Sequence, residues 1–180
     1  MRSYKLLVFG DSGVGKKSLT VQFCKNYFLE SHESIFENSY RKDVMIDDEP
    51  CSLEIIINTA EQEEYADISG IRDYDGFLLV YSITSRTTFE RVEIFLNQIK
   101  QNTDSAPIVI VGNKCDKMIE REVSRDEGKR MAQILGCEVM ESSAKTCVNV
   151  EKAFHNVVKT IRVTREGARN PKRQKRCSIL

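Results

Sequence analysis

Hydrophobic positions along this chain fall into two patterns. Residues 6–9, 77–83 and 108–111 are nearly unbroken apolar runs, the length of strands buried on both faces. Elsewhere the apolar residues are spaced: Val150, Ala153, Phe154, Val157, Val158 and Ile161 fall on one face of a helix. Phe89, Val92, Leu96 and Ile99 make a second stripe, preceded by Thr87 and Glu90 at capping-box spacing. Ser124 and Glu127 repeat that spacing before a third helix, which Gly136 should end. A further helix is expected to run from about residue 16 to Lys25, followed by an irregular surface loop over 26–37. Residues 41–46 and 53–57 flank Asp47-Asp48-Glu49-Pro50, a turn-forming group, and predict a hairpin. A short strand is expected near 138–141. Strands alternating with helices predict an α/β fold, a mostly parallel six-stranded sheet with helices on both faces.

Composition narrows the class only slightly. The 180 residues are 41% hydrophobic and 30% charged, enough for a single domain with a real core. No apolar run approaches a membrane span, and residues 1–10 carry no secretory signal pattern. The six cysteines (24, 51, 115, 137, 147 and 177) show no C-x-x-C pair and read as thiols of a reducing compartment. Charge is more informative. The formal net charge is zero, yet seven of the 27 Lys and Arg residues lie from position 162 onward against one acid, Glu166. An acidic body with a basic tail sets domain bounds at 1–166 and 167–180 and demands a separate explanation of the tail.

The candidate chemistry begins where the first strand ends. Gly10, Asp11, Ser12, Gly13, Val14, Gly15, Lys16, Lys17 and Ser18 form a glycine loop between strand and helix, the setting of a phosphate-binding loop. Backbone N–H groups can curl around an anion there, and Lys16 would reach the terminal phosphates. The pattern G-x-x-x-x-G-K-[ST] fails at its last position. Lys17 occupies the slot of a Mg²⁺-ligating hydroxyl, and Ser18 is one residue late, rotated by roughly 100° on a helix.

Two later motifs fall after strands on the same sheet edge: Asn113-Lys114-Cys115-Asp116 and Ser143-Ala144-Lys145. With these in order behind the glycine loop, the chain resembles a small GTPase of the Ras family over nearly its whole length. Ser39-Tyr40-Arg41-Lys42, Thr59-Ala60 and Gln62-Glu63-Glu64-Tyr65 also read as Ras or Rap segments. The resemblance implies binding of GTP and GDP. It assigns Asp116 to the guanine N–H and amino group, Asn113 to bracing the loop, and Lys114 to a place over the base. Ala144 N–H would meet the guanine oxygen between Ser143 and Lys145, and Phe28 would stack on the base. It also implies an effector region over His32, Glu33, Ser34, Ile35, Phe36, Glu37, Asn38, Ser39 and Tyr40. Exchange factors and GTPase-activating factors are the further partners it implies, and nucleic acid is not among them.

The departures from that family cluster on the metal and the γ-phosphate. Besides Lys17, Ile35 matches the family's metal-binding threonine, and the D-x-x-G motif reads Asn58-Thr59-Ala60-Glu61. Gln62, which matches the water-positioning glutamine and so the catalytic position, survives without its usual neighbours. No residue is assigned to Mg²⁺. The chain closes on Cys177-Ser178-Ile179-Leu180, a C-a-a-X box behind a basic run, which predicts geranylgeranylation of Cys177 and attachment to the cytoplasmic face of the plasma membrane or another membrane. Two readings stand: a membrane-anchored signalling switch with weak GTP hydrolysis, or a pseudo-GTPase scaffold that binds partners without a nucleotide cycle. Asp116 and Asn113 argue against a third, an adenine-nucleotide kinase or ATPase.

Overall fold

The computed structural model describes residues 1–28, 37–58, 70–103 and 107–169. Six strands form one sheet: β1 (Arg2–Gly10), β2 (Ser39–Ile46), β3 (Glu49–Ile57), β4 (Gly76–Ser82), β5 (Ile108–Asn113) and β6 (Glu138–Glu141). Their order is β2-β3-β1-β4-β5-β6, with β2 and β3 antiparallel and every other pair parallel. The strands of the central pairs meet apolar to apolar, Leu6 opposite Ile55, Val8 opposite Leu78, and Val80 opposite Val111. Five α-helices, α1 (Lys16–Lys25), α2 (Arg86–Glu90), α3 (Val92–Asn102), α4 (Arg125–Leu135) and α5 (Val150–Arg169), and two 3-10 turns, Ile71–Asp73 and Met118–Glu120, complete the described fold.

Alternation along β1 divides the core in two. Tyr4, Leu6 and Val8 join Leu19, Val21, Phe23 and the apolar stripe of α5 on one face, where the Phe23 and Phe154 rings stack with centroids 4.1 Å apart. Leu7 and Phe9 join Val92, Phe95, Leu96 and Ile99 of α3 on the other, with Met131 and Leu135 of α4 packed against them. Burying each such side chain contributes about 1.5–3 kcal/mol. The expected mostly parallel sheet between helices is therefore the fold adopted.

Local signals were honoured unevenly. Ser124 and Glu127 form the full capping box of α4, and Gly136 ends that helix at φ 66°. The hairpin turn is tighter than the four-residue group suggested. Asp47 and Asp48 alone turn the chain, both with positive φ, while Glu49 and Pro50 already pair with Ile46 and Met45. Thr87 is not a cap. Ser85 caps α2 by accepting from Thr88 N–H, and Glu122 Oε2 takes the Arg86 N–H at 2.6 Å, so the helix begins earlier and breaks at Arg91.

Candidate functional site

The C-terminal ends of the parallel strands converge on one edge. β1 ends at Gly10, β5 at Asn113, and Asn58 and Ser142-Ser143 directly follow β3 and β6. The chain order reverses about β1, whose neighbours are β3 and β4, and such a reversal opens a crevice at this edge.

The loop over residues 10–15 depends on glycine at two places. Gly10 has φ 144°, and a Cβ there would strike the Val80 carbonyl oxygen. Gly15 has φ 93°, and a Cβ there would strike Asn113 Nδ2. Gly15 is also the N-cap of α1 and offers no side-chain cap to its first turn, a setting in which a helix N-terminus favours an anion. Lys16 Nζ donates to the Gly10 and Asp11 carbonyls at 2.8 and 2.7 Å, folding over its own loop.

The motif after β5 is braced against that loop. Asn113 Nδ2 donates to the Val14 carbonyl at 2.9 Å, and Lys114 Nζ donates to the Gly13 carbonyl at 2.7 Å. Burial, aided by the nearby Lys117, lowers the Lys114 ammonium pKa below its ordinary value. Lys114 also holds a positive φ of 65°, and Asp116, two residues on, is exposed. Ser143 Oγ then donates to Asp116 Oδ1 at 2.6 Å while accepting the Thr146 N–H at 3.0 Å. One carboxylate oxygen is thereby oriented by the motif after β6. Ser142 contributes a contact that no motif announced, from its hydroxyl to Asn113 Oδ1 at 3.3 Å.

The other expected site residues are placed as follows. Ala144 is buried and Lys145 exposed beside Ser143, while Phe28 is half-buried against the α1–α5 side of the core. Lys17 and Ser18 are the second and third residues of α1. Asn58 donates its N–H to Val8 O at 3.0 Å. Of the expected effector stretch, Glu37 pairs with Lys25 at 3.0 Å, Tyr40 OH donates to the Glu37 carbonyl at 3.1 Å, and Asn38 O accepts the Ile57 N–H at 2.8 Å. His32, Glu33, Ser34, Ile35, Phe36, Glu61, Gln62 and Cys177 lie outside the described residues. Among the described residues no three His, Cys, Asp or Glu side chains cluster to hold a metal.

One participant was missed altogether. Arg91, between α2 and α3, meets the Asp11 carboxylate at 2.9 Å. The partners are 80 residues apart with no shared motif, so only the fold could join them.

The Ras family profile matches residues 5–163. The chain is 45% identical to Ras-like protein B of Aspergillus fumigatus, with 98% of this chain and 84% of that protein covered. It is 46% identical to Protein ras-2 of Neurospora crassa, covering 94% and 84%, and 45% identical to Ras-like protein 1 of Pyricularia oryzae, covering 95% and 80%. The chain belongs to the Ras family. Membership makes it a Ras-like GTP-binding signalling protein, with effectors, exchange factors and GTPase-activating proteins as its classes of partner. The braced loops at the sheet edge carry the residues expected to meet a nucleotide.

Proposed function

We propose that this Ras-family protein is a membrane-anchored guanine-nucleotide switch that hydrolyses GTP weakly. The observation that carries the reading is a braced base clamp adjoining a phosphate loop whose helix opens with two lysines. Asn113 on Val14, Lys114 on Gly13 and Ser143 on Asp116 hold the clamp. Asp116 would accept from the guanine N–H and amino group; adenine offers neither, and a carboxylate left without them discriminates strongly.

The phosphate side supports weak turnover. The residues present do not fit a protein-held Mg²⁺: Lys17 supplies an ammonium with no lone pair, and Asn58 a neutral amide, at the two described positions where the family places a hydroxyl and a carboxylate. Ile35 and Glu61 continue the substitution in sequence. Lys17 substitutes part of the ion's charge by pairing with β-phosphate oxygens. A fixed monocation neutralises the bound nucleotide but does not bridge β- and γ-oxygens during phosphoryl transfer. Gln62, matching the family's water-positioning glutamine, is retained directly after the substituted Glu61. Residues 1–166 form the nucleotide-binding body. Residues 167–180, the first three of which complete α5, form the tail, lipidated at Cys177, with its bases as the second membrane signal at roughly 1 kcal/mol each.

The test is titration with fluorescent GDP and GTP in Mg²⁺ and then in EDTA, followed by single-turnover hydrolysis. Binding that persists in EDTA with slow hydrolysis is the expected result. Binding that collapses in EDTA beside fast turnover would overturn it. Binding of neither nucleotide would leave the scaffold reading in its place. For the anchor, Cys177→Ser should release the protein from membranes, and persistent association would refute lipidation there.

A further inference from the structure

Asp11 puts a carboxylate inside a loop built to receive an anion. Its charge is answered from across the domain: Arg91 Nη1 lies 2.9 Å from both Oδ1 and Oδ2. Oδ1 also accepts the Ser12 N–H at 3.0 Å, and the Asp11 carbonyl accepts from Lys16 Nζ at 2.7 Å. Asp11 therefore links Arg91 to the lysine expected to meet the phosphates. The pair is partly shielded, with side-chain exposures of 33% for Arg91 and 20% for Asp11.

Arg91 is itself held in place. Its N–H donates to the Thr87 carbonyl at 3.2 Å, and its carbonyl accepts the Phe95 N–H at 3.1 Å. Its guanidinium lies 5.0 Å from the Phe95 ring centroid, and Phe95 packs edge-on against Phe9 of β1 at 5.0 Å. The Arg91 main chain is thus fixed by the α2–α3 junction, and its guanidinium lies between the Phe95 ring and the Asp11 carboxylate.

Resting on the guanine-nucleotide reading, we propose that Arg91 is a positioning residue for the nucleotide phosphates, cancelling the Asp11 carboxylate and tying the loop to the α2–α3 junction. Without Arg91 the carboxylate repels bound phosphate, and the penalty rises with phosphate charge. Arg91 therefore bears on the choice of GTP over GDP more than on the base.

The test compares the full chain with Arg91→Met, Asp11→Asn and the double variant, using affinities for GMP, GDP and GTP at low and high salt. From one partly shielded charge, Arg91→Met should weaken GTP about tenfold, GDP about threefold and GMP least. The losses should shrink at high salt. Adding Asp11→Asn should restore GTP binding to within about twofold, and Asp11→Asn alone should tighten GTP about threefold by freeing the Arg91 cation. Equal losses for all three nucleotides, or no rescue in the double variant, would show a purely structural tether and overturn the proposal. Should Arg91→Met fail to fold, Asp11→Asn decides alone, and unchanged or weaker GTP binding overturns it. A parent chain that binds no guanine nucleotide defeats the guanine reading and this inference together. A parent that binds beside an Arg91→Met variant that matches it defeats this inference alone.

Discussion

Asn113 Nδ2 donates to the Val14 carbonyl over 2.9 Å and so ties the motif after β5 to the phosphate loop, 99 residues away. Nothing bulkier than glycine at position 15 permits that contact, because a Cβ there would fall on the same Nδ2. Gly15→Ala meets both this clash and a φ of 93° that L side chains rarely adopt. The variant should lose about 1–3 kcal/mol of folding stability from backbone strain. It should also lose most guanine-nucleotide affinity. Urea unfolding checks the first effect; a midpoint equal to that of the parent would show that the loop tolerates the methyl group.

Ser143 acts on the base side. Its hydroxyl orients Asp116 Oδ1 at 2.6 Å and accepts the Thr146 N–H, so one oxygen connects the carboxylate to the turn after β6. Ser143→Ala removes a hydrogen bond to a charged group, worth about 1.5–3 kcal/mol. GDP affinity should fall about tenfold or more while the preference over ADP narrows. Competition titration with both nucleotides is the check, and an undiminished guanine preference would mean that Asp116 is oriented without Ser143.

The sheet and its helices were legible because their signals are periodic and redundant. The α5 stripe of Val150, Phe154, Val157 and Ile161 is read by the core as its spacing promised. The Ser124–Glu127 box succeeded because both halves of the motif lie in one turn. Thr87 failed because its competitor was remote: Glu122, on another segment, takes the Arg86 N–H and moves the helix start to Ser85's side. The same distinction runs through the site. Asn113, Lys114 and Asp116 announce themselves by local motif, whereas Ser142 and Arg91 acquire their roles only when strand ends and a helix junction meet in space. The substituted Ile35 and Glu61 and the retained Gln62 were legible as residue types, but local patterning assigns them no geometry.

Glu127 gives the fold a sensitivity to acid. Its carboxyl is held down to about 2, from an ordinary 4.5, chiefly by Arg86 and then by Ser124. A depressed carboxylate contributes stability that is fully present above its ordinary value and is lost as pH falls toward the folded value. Thermal midpoints of the parent and Glu127→Gln should therefore differ by a constant gap from pH 7 to pH 5. Below about 4.5 the gap should narrow step by step. A gap that stays constant down to pH 3 would show that the Arg86 and Ser124 contacts add nothing to the charged form.

Lys17 is where sequence and site chemistry make their sharpest joint demand. As the second residue of α1 it stands directly after the lysine that folds over the phosphate loop, with no acidic side chain in that first turn. An ammonium has three donors and no acceptor, so it can pair with phosphate oxygen but cannot ligate a divalent ion. Lys17→Ser returns a hydroxyl to a position from which it could do so. The parent should bind GDP about equally in Mg²⁺ and in EDTA. The variant should bind more weakly in EDTA and recover at least about tenfold in Mg²⁺, since an ion bridging phosphates is worth more than a kilocalorie or so per mole. Adding Asn58→Asp should enlarge that response by restoring a carboxylate beside β3. A variant with the parent's indifference to Mg²⁺ would sink the idea that Lys17 takes the ion's place.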